Sequence, residues 1–347
     1  MVREKRLACP EHGVIALLEN RLPDDLGPGQ LIVRNTHGAE KHGTMESFVH
    51  KHGNARGAWD AERGLHTTGA GLAWKYPIPL GNMQVGYVER TGLDCGAIKK
   101  GDRVLYFGGF AAAGVAHTAS TWKISEDTCW KAATCLDPAT FAFAALRDAG
   151  VRIGDAVAVF GLGAIGLCAV ALAKLAGCHP VVAIDPVAKR RRLAEKLGAD
   201  VSMDPVGRDV GRDLRELSAW RGVDVAVEYS GTVSALNAAL RGVAFGGTVA
   251  CGAFPAPYAA GLDFGGEAHM NRPNIIFTRA ESDPGRDHPR WDKARVHRAV
   301  LRLIEEGKID GENIVDPVIG FSDSLVEDYQ RIMADRENFV KMGVTYP

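Results

Sequence analysis

A glycine pattern between two apolar runs constrains the fold of this 347-residue chain more than any other feature. The spacing is G-x-G-x-x-G, and it follows a strand-like run at residues 156–160 and opens an apolar helix-like run at 164–176. The first glycine permits a tight turn, the second lets backbone N–H groups approach a pyrophosphate, and the third lets helix and strand pack closely. The pattern therefore predicts a dinucleotide-binding turn formed by Gly161, Gly163, Ala164, Ile165 and Gly166.

Regular alternation of strands and helices surrounds this turn. Apolar or β-branched runs predict strands at residues 156–160, 181–184, 201–203, 223–228, 248–251 and 275–278. Helical patterns lie between them at 164–176, 187–197, 211–220 and 233–241, and a Gly- and Pro-rich loop precedes the last strand. Alternation of this kind is typical of a doubly wound parallel α/β sheet, and six strands are the number in a complete dinucleotide-binding domain.

The remaining sequence predicts a second domain that is rich in β structure. Residues 1–125 are Gly-rich with short strand-like runs such as 30–34 and 85–90, and residues 38–68 are expected to form loops and short helices. After residue 284 the chain predicts a helix at 293–306, a strand at 314–319, a helix at 324–335 and a strand at 339–344. So short a tail is expected to rejoin the first domain. We therefore predict a first domain of residues 1–148 and 285–347, with residues 149–284 as the inserted dinucleotide-binding domain.

Composition excludes several classes of protein. Hydrophobic residues make up 46% and charged residues 24%, and the formal net charge is −1, so no global charge favours nucleic acid or an anionic membrane. No run approaches the 18 apolar residues of a membrane-spanning helix, and no secretory signal pattern is evident at the start. The seven cysteines never show C-x-x-C spacing, which indicates reduced thiols. A cytoplasmic enzyme acting on a small polar molecule is expected.

An acidic residue after the second strand bears on the choice of cofactor. Asp185 follows Gly166 by nineteen residues, where a carboxylate can accept hydrogen bonds from the adenosine ribose and repel a 2′-phosphate. NAD is therefore favoured over NADP. The basic run 189–192 is either a solvated helix face or the edge of the cofactor site, where Arg190 would stack on adenine or neutralise a phosphate. Topology alone predicts that the ribose and nicotinamide meet Ser230, Gly252 and Ala253.

The order of these parts resembles the medium-chain dehydrogenase/reductase superfamily, of the zinc alcohol, polyol and sorbitol dehydrogenase type. The resemblance covers almost the whole chain and is carried by residues 22–34, 85–89, 101–104, the glycine pattern, and 300–347. It implies a GroES-like catalytic domain that contains the inserted Rossmann domain. It also implies a cleft between the two and a homodimer or homotetramer.

The zinc ligands of that family are where this sequence departs from it. The family's Cys-Gly-Thr/Ser-Asp motif corresponds to His42-Gly-Thr44-Met, and its Gly-His-Glu-x-x-Gly motif to residues 81–86, which carry Asn82 and Met83. Asn and a thioether are poor ligands for Zn²⁺, and the four-cysteine structural lobe is missing. Asp137 corresponds to the later carboxylate. A metal held by His42, Asp137 and another histidine stays open as an alternative, but a site without zinc is expected.

Without zinc, a side chain must take over the alcohol proton. His42, at the position of the lost Cys, is the first candidate for acid and base work, because imidazole titrates near neutral pH. Thr44 resembles the family's proton-relaying hydroxyl, and Asp137 is expected to orient His42, act as the base or bind a substrate hydroxyl. Each also has a purely structural interpretation, as a loop histidine, a turn hydroxyl or a helix cap.

These features favour NAD-dependent interconversion of a secondary alcohol and a ketone on a sugar, cyclitol or other polyol. Two alternatives remain. Zinc-free relatives reduce activated C=C bonds, usually with NADPH, which Asp185 disfavours. A protein that binds the nucleotide without catalysing a reaction would also have lost its zinc ligands.

Overall fold

The computed structural model describes residues 5–50, 56–67, 74–282, 284–335 and 337–347, with the side chain of His42 left outside the described part. The strands are β1 Lys5–Cys9, β2 Ala16–Glu19, β3 Gln30–Ala39, β4 Trp59–Asp60, β5 Leu65–His66, β6 Ile78–Pro79, β7 Met83–Thr91, β8 Arg103–Phe107, β9 Ala113–His117, β10 Thr121–Lys123, β11 Val157–Phe160, β12 Val181–Ile184, β13 Val201–Met203, β14 Val223–Glu228, β15 Val243–Cys251, β16 Asn274–Phe277, β17 Val315–Gly320 and β18 Lys341–Thr345.

The helices are α1 His42–His50, α2 Trp130–Ala133, α3 Leu136–Asp148, α4 Ala164–Leu175, α5 Ala188–Lys196, α6 Val210–Leu217, α7 Val233–Gly242, α8 Glu267–Asn271, α9 Lys293–Glu305 and α10 Leu325–Ala334. Within the described residues, no helix combines the length and the apolar composition that a membrane crossing requires.

The chain divides into two compact units. The first comprises Met1–Thr134 and Val315–Pro347, and the second comprises Cys135–Ile314. The boundaries that we predicted after residues 148 and 284 therefore lie instead after Thr134 and Ile314. The reason is packing: α3 lies against α4 and α9, so both flanking helices belong to the second unit. The sequence of α9 has the amphipathic pattern of a helix that packs on a hydrophobic core. This pattern does not show which of the two units supplies that core.

The second unit is built on a six-stranded parallel sheet with the order β13-β12-β11-β14-β15-β16. This is the doubly wound order of a dinucleotide-binding domain, with the point of reversal between β11 and β14. All four residues of β11 and all four of β12 are buried, as expected for strands that are covered by helices on both faces. The six predicted strands and the α/β class are thus confirmed.

The first unit is organised around the ten-residue strand β3. It pairs antiparallel with β7, β9 and β18, and β17 extends the same sheet in parallel with β18. The pair of Gly343 with Ala39 joins the C-terminal segment to the N-terminal one. Strands β8 and β10 continue the large sheet beyond β7. A smaller sheet of order β2-β1-β6 and the hairpin β4-β5 complete the described strands of this unit.

Several elements were not predicted from the sequence, among them helix α3, helix α8 and the hairpin β4-β5. Helix α8 lies in the Gly- and Pro-rich stretch, and the hairpin β4-β5 lies in the region assigned to loops and short helices. Neither is long enough to produce a hydrophobic period, because α8 has five residues and each hairpin strand has two. Strand β15 also begins five residues earlier than predicted, at Val243, because Gly246 and Gly247 obscured its continuation.

Candidate functional site

The glycine turn has the geometry that a dinucleotide requires. Gly161 has φ +86°, and a Cβ there would lie 2.6 Å from the backbone nitrogen of Ser230. A Cβ on Gly166 would lie 1.9 Å from the carbonyl oxygen of Gly161, so α4 and the turn touch through bare backbone. At Gly163, the N-cap of α4, a Cβ would meet open space. The turn thus offers an open helix N-terminus of the kind that binds pyrophosphate.

Asp185 links this turn to the end of β12 through hydrogen bonds. One of its carboxylate oxygens accepts a hydrogen bond from the backbone N–H of Leu162 at 2.8 Å, and the other accepts one from Val187 at 2.8 Å. The residue is 3% exposed, so its carboxylate is buried directly after β12. Each carboxylate oxygen has two lone-pair directions, so acceptor capacity remains for a ribose hydroxyl. The ribose contact stays a prediction.

The basic run of α5 is divided between two roles. Arg191 donates to the carbonyl oxygens of Asp185 and Pro186 at 2.7 and 2.8 Å and pairs with Asp204 at 3.1 Å, so it holds the turn that follows β12. A guanidinium nitrogen of Arg190 lies 3.6 Å from the Asp185 carboxylate. Arg190 is therefore the member of the run whose guanidinium faces the Asp185 carboxylate.

The turns after β14 and β15 lie side by side at the carboxyl edge of the sheet. The carbonyl oxygen of Glu228 accepts hydrogen bonds from Gly252 at 3.0 Å and Ala253 at 3.2 Å. A Cβ on Gly252 would lie 2.4 Å from the Tyr229 ring, so the two turns approach closely. Ser230 is exposed at the same edge, next to Gly161. The structure thus brings the predicted cofactor residues of three strands together.

The predicted catalytic residues belong to different units. His42 and Thr44 lie in the first turn of α1, in the first unit, and Thr44 is half-buried. Core residues Met45, Phe48 and Val49 anchor that helix. Asp137 lies in the first turn of α3, in the second unit, and is 3% exposed. The three residues therefore stay a proposed set.

Asn82 and Met83, two of the residues at the family's zinc positions, are of types that bind zinc poorly. Met83 is fully buried in β7, paired with Phe107 of the neighbouring strand, and the backbone N–H of Asn82 donates to the carbonyl oxygen of Ala39. Gln84 accepts from the hydroxyl of Tyr346 at 2.8 Å, so this segment is committed to packing. In the part of the chain that the structure describes, no three His, Cys, Asp or Glu side chains are grouped as metal ligands.

Glu40 is a buried carboxyl group to which the sequence assigned no role. Glu40, two residues before His42, is 1% exposed, and burial raises the pKa of its carboxyl to about 7. The Lys341 ammonium donates to its backbone carbonyl, and Tyr329 packs against it. The only sequence signal was an acidic residue at the end of an apolar strand. Glu40 ties the segment that leads into α1 to the C-terminal strand β18.

Comparison with known proteins decides the family. Residues 164–280 match the family model described as zinc-binding dehydrogenase, which covers the nucleotide-binding region and not the ligand positions. Over 99% of its length, the chain is 37% identical to the whole of a D-guloside 3-dehydrogenase from Escherichia coli K12. The chain belongs to the zinc-binding dehydrogenases of the medium-chain superfamily. It is an oxidoreductase of the alcohol dehydrogenase type, and the predicted resemblance is confirmed.

Solved structures share the fold of this dehydrogenase. An alcohol dehydrogenase of Escherichia coli CFT073 complexed with NADH is 15% identical, with 98% of both chains covered and a TM-score of 0.76. A zinc-binding dehydrogenase of Sinorhizobium meliloti 1021 bound to NADP is 20% identical, with 98% of both chains covered and a TM-score of 0.77. The GroES-like domain with an inserted Rossmann domain is therefore the fold of this chain too.

Replacing Asp185 should affect both cofactor binding and stability. Asp185→Ala removes an acceptor for two backbone N–H groups, so we expect a loss of about 1–3 kcal/mol in the free energy of unfolding together with weaker NAD⁺ binding. Asp185→Asn keeps one acceptor oxygen and should be intermediate. Calorimetric titration and urea unfolding measure the two effects. Asp25→Ala, which removes an exposed carboxylate of the first unit, is the control. Unchanged NAD⁺ affinity in Asp185→Ala would remove the main argument for the choice of cofactor.

Glu40 should make stability depend on pH. Its pKa of about 7 in the folded state exceeds the usual value of 4.5, so the folded state holds the extra proton between these values. The stabilisation is fully present below pH 4.5 and is lost as the pH rises through 7. Glu40→Gln cannot ionise. Its free energy of unfolding, measured relative to that of the wild type, should therefore be up to about 3 kcal/mol higher at pH 8 than at pH 5.

Urea unfolding at the two pH values measures this gain, and the exposed Glu62→Gln serves as the matched control. The same pH dependence in the wild type and Glu40→Gln would contradict the assignment.

Proposed function

We propose that the dehydrogenase interconverts a secondary alcohol and a ketone on a sugar, with NAD(H) as the hydride carrier and without catalytic zinc. The observation that carries the proposal is the end-to-end relationship to D-guloside 3-dehydrogenase, which includes the first unit as well as the nucleotide-binding region. A glycoside of a hexose, oxidised at the hydroxyl of C3, is the substrate that this relationship favours.

Asp185 and its surroundings support NAD over NADP. A buried carboxylate beside the glycine turn would repel a 2′-phosphate, and the nearby guanidinium of Arg190 balances the carboxylate that is already there. The fold neighbours do not decide this choice, since one is complexed with NADH and another with NADP.

The reaction needs a hydride acceptor and a proton acceptor. The bound nicotinamide cofactor supplies the first: oxidation transfers a hydride from the carbinol carbon to it. The chain must supply the second, because the hydroxyl loses its proton as the C=O bond forms. Reduction of the ketone runs the same two transfers in reverse.

We assign the proton transfer to His42, with Thr44 as a relay and Asp137 as an orienting group, alternative base or substrate contact. Support comes from residue type and position in the chain: an imidazole at the first residue of α1, a hydroxyl in the same turn, and a buried carboxyl at the start of α3. Asn82 and Met83 are residue types that bind zinc poorly, which supports a site in which side chains, in place of a metal, handle the alcohol proton.

Turnover of a glycoside tests the substrate class. We expect NADH to form from NAD⁺ with methyl D-guloside, and not with the analogue that lacks the C3 hydroxyl, because the hydride leaves C3 only as the proton of that hydroxyl is lost and the C=O bond forms. NADP⁺ should give less turnover. Reduction of enones with NADPH would instead support a C=C reductase. Tight NAD⁺ binding without turnover on any glycoside or polyol would support a nucleotide-binding protein that is not an enzyme.

Metal content tests the proposed zinc-free site. In protein purified without chelator, elemental analysis should find far less than one zinc per chain, and turnover of the glycoside should survive dialysis against EDTA. His42→Ala should then lose at least about a hundredfold in kcat, the usual range for a missing general base. One tightly held zinc per chain, lost together with activity, would restore the metal-assisted mechanism.

A further inference from the structure

Glu228, at the end of β14, is a buried acid to which the glycine pattern assigns no role. It is 2% exposed, and burial raises the pKa of its carboxyl. Its backbone pairs with Phe160 of β11 and Cys251 of β15, so it sits in the middle of the sheet at the carboxyl edge. Burying a carboxyl group costs free energy unless the group is hydrogen-bonded, so the hydrogen bonds of Glu228 indicate its structural role.

The hydrogen-bond partners that the structure gives the Glu228 side chain lie in the turn that follows it. A single carboxylate oxygen, Oε1, accepts hydrogen bonds from the backbone N–H of Ser230 at 2.6 Å, the hydroxyl of Ser230 at 2.5 Å and the backbone N–H of Gly231 at 2.9 Å. Gly231 has φ +69°, the left-handed conformation that this tight wrap around the carboxylate requires. The side chain thus fixes both the backbone of the turn and the direction of the Ser230 hydroxyl.

This turn lies where the second half of a dinucleotide would pass. In doubly wound sheets, the ligand crosses the carboxyl edge at the point of reversal, which here lies between β11 and β14. Asp185 follows β12, on the adenosine side of that point, and Ser230 follows β14, on the opposite side. The Ser230 turn also touches the glycine turn, since a Cβ on Gly161 would meet its backbone nitrogen.

The hydrogen bonds of Ser230 leave its oxygen as an acceptor. The hydroxyl donates its proton to Glu228, and Oγ accepts the backbone N–H of Thr232 at 3.2 Å. The Thr232 hydroxyl, 3.0 Å from Oγ, also lies 3.3 Å from the Ser234 hydroxyl, and when it donates there the second lone pair of Ser230 is left for a ligand. Thr232 in turn caps α7 by accepting from the N–H of Ala235 at 3.3 Å. An exposed hydroxyl whose proton is already committed is suited to accept a hydrogen bond from a ligand hydroxyl.

We propose that Glu228 is a positioning residue that orients the Ser230 hydroxyl to accept a hydrogen bond from the ribose on the nicotinamide side of the cofactor. The inference rests on the proposed dinucleotide function. It assigns the role to the hydrogen bonds made by Oε1, not to contact between Glu228 and the cofactor.

Three nucleotides of increasing length test this role by calorimetric titration. ADP carries the adenosine half only, ADP-ribose adds the second ribose, and NAD⁺ adds nicotinamide. For Glu228→Ala we expect the Kd of ADP to stay unchanged and those of ADP-ribose and NAD⁺ to rise together by about five- to tenfold, the value of a lost hydrogen bond. Glu228→Gln keeps an acceptor oxygen at Oε1 and should recover most of the lost affinity. Ser230→Ala should reproduce the pattern of Glu228→Ala.

Other outcomes overturn the inference. If all three nucleotides weaken in parallel in Glu228→Ala, the residue merely holds the sheet together, and if none weakens, the turn does not need it. Should Glu228→Ala fail to fold, Glu228→Asp, whose carboxylate is one methylene short of the turn, takes its place with the same expectations. Failure of the wild type to bind NAD⁺ while binding ADP would refute the proposed function itself, which separates the two hypotheses.

Discussion

Direct contact between backbones at the glycine turn is the constraint on which the second unit depends. The carbonyl oxygen of Gly161 occupies the space that a side chain at position 166 would need, and the nitrogen of Ser230 does the same at position 161. Strand β11, helix α4 and the turn after β14 therefore meet at one place without intervening side chains. The carboxyl edge of the sheet is shaped by this contact, and Asp185 and Glu228 each anchor one side of it through hydrogen bonds to backbone N–H groups.

The six strands of the second unit and the helices α4 to α7 could be predicted almost element by element, because the strands are buried on both faces and these helices are long enough to show a period. The predictions of β12, β13 and β14 agree with the structure to the residue. The boundaries between the units could not be predicted, because α3 and α9 carry ordinary apolar faces that fit either core. The short hairpin β4-β5 and helix α8 are held by tertiary context, which local sequence does not encode.

The candidate site, too, could be predicted only in part from the sequence. Spacing located the glycines and Asp185, since the chemistry of a pyrophosphate turn dictates both. Spacing did not reveal that Asp185 is buried, nor that Glu40 and Glu228 are buried acids, because burial of a single polar residue depends on what packs over it. Family resemblance located His42 and Asp137, yet these residues lie in different units, so their joint role depends on an arrangement that no local pattern specifies.

The two hydrogen bonds of Asp185 have a consequence for redesign of the cofactor preference. The usual way to admit a 2′-phosphate is to replace the acidic residue after the second strand with a small or basic one. Here that residue also accepts hydrogen bonds from the backbone N–H groups of Leu162 and Val187. Its replacement would therefore destabilise the same loop that is proposed to bind the pyrophosphate. Selection for a new preference should therefore act first on the surroundings of Asp185, at the exposed edge of α5, and leave the carboxylate in place.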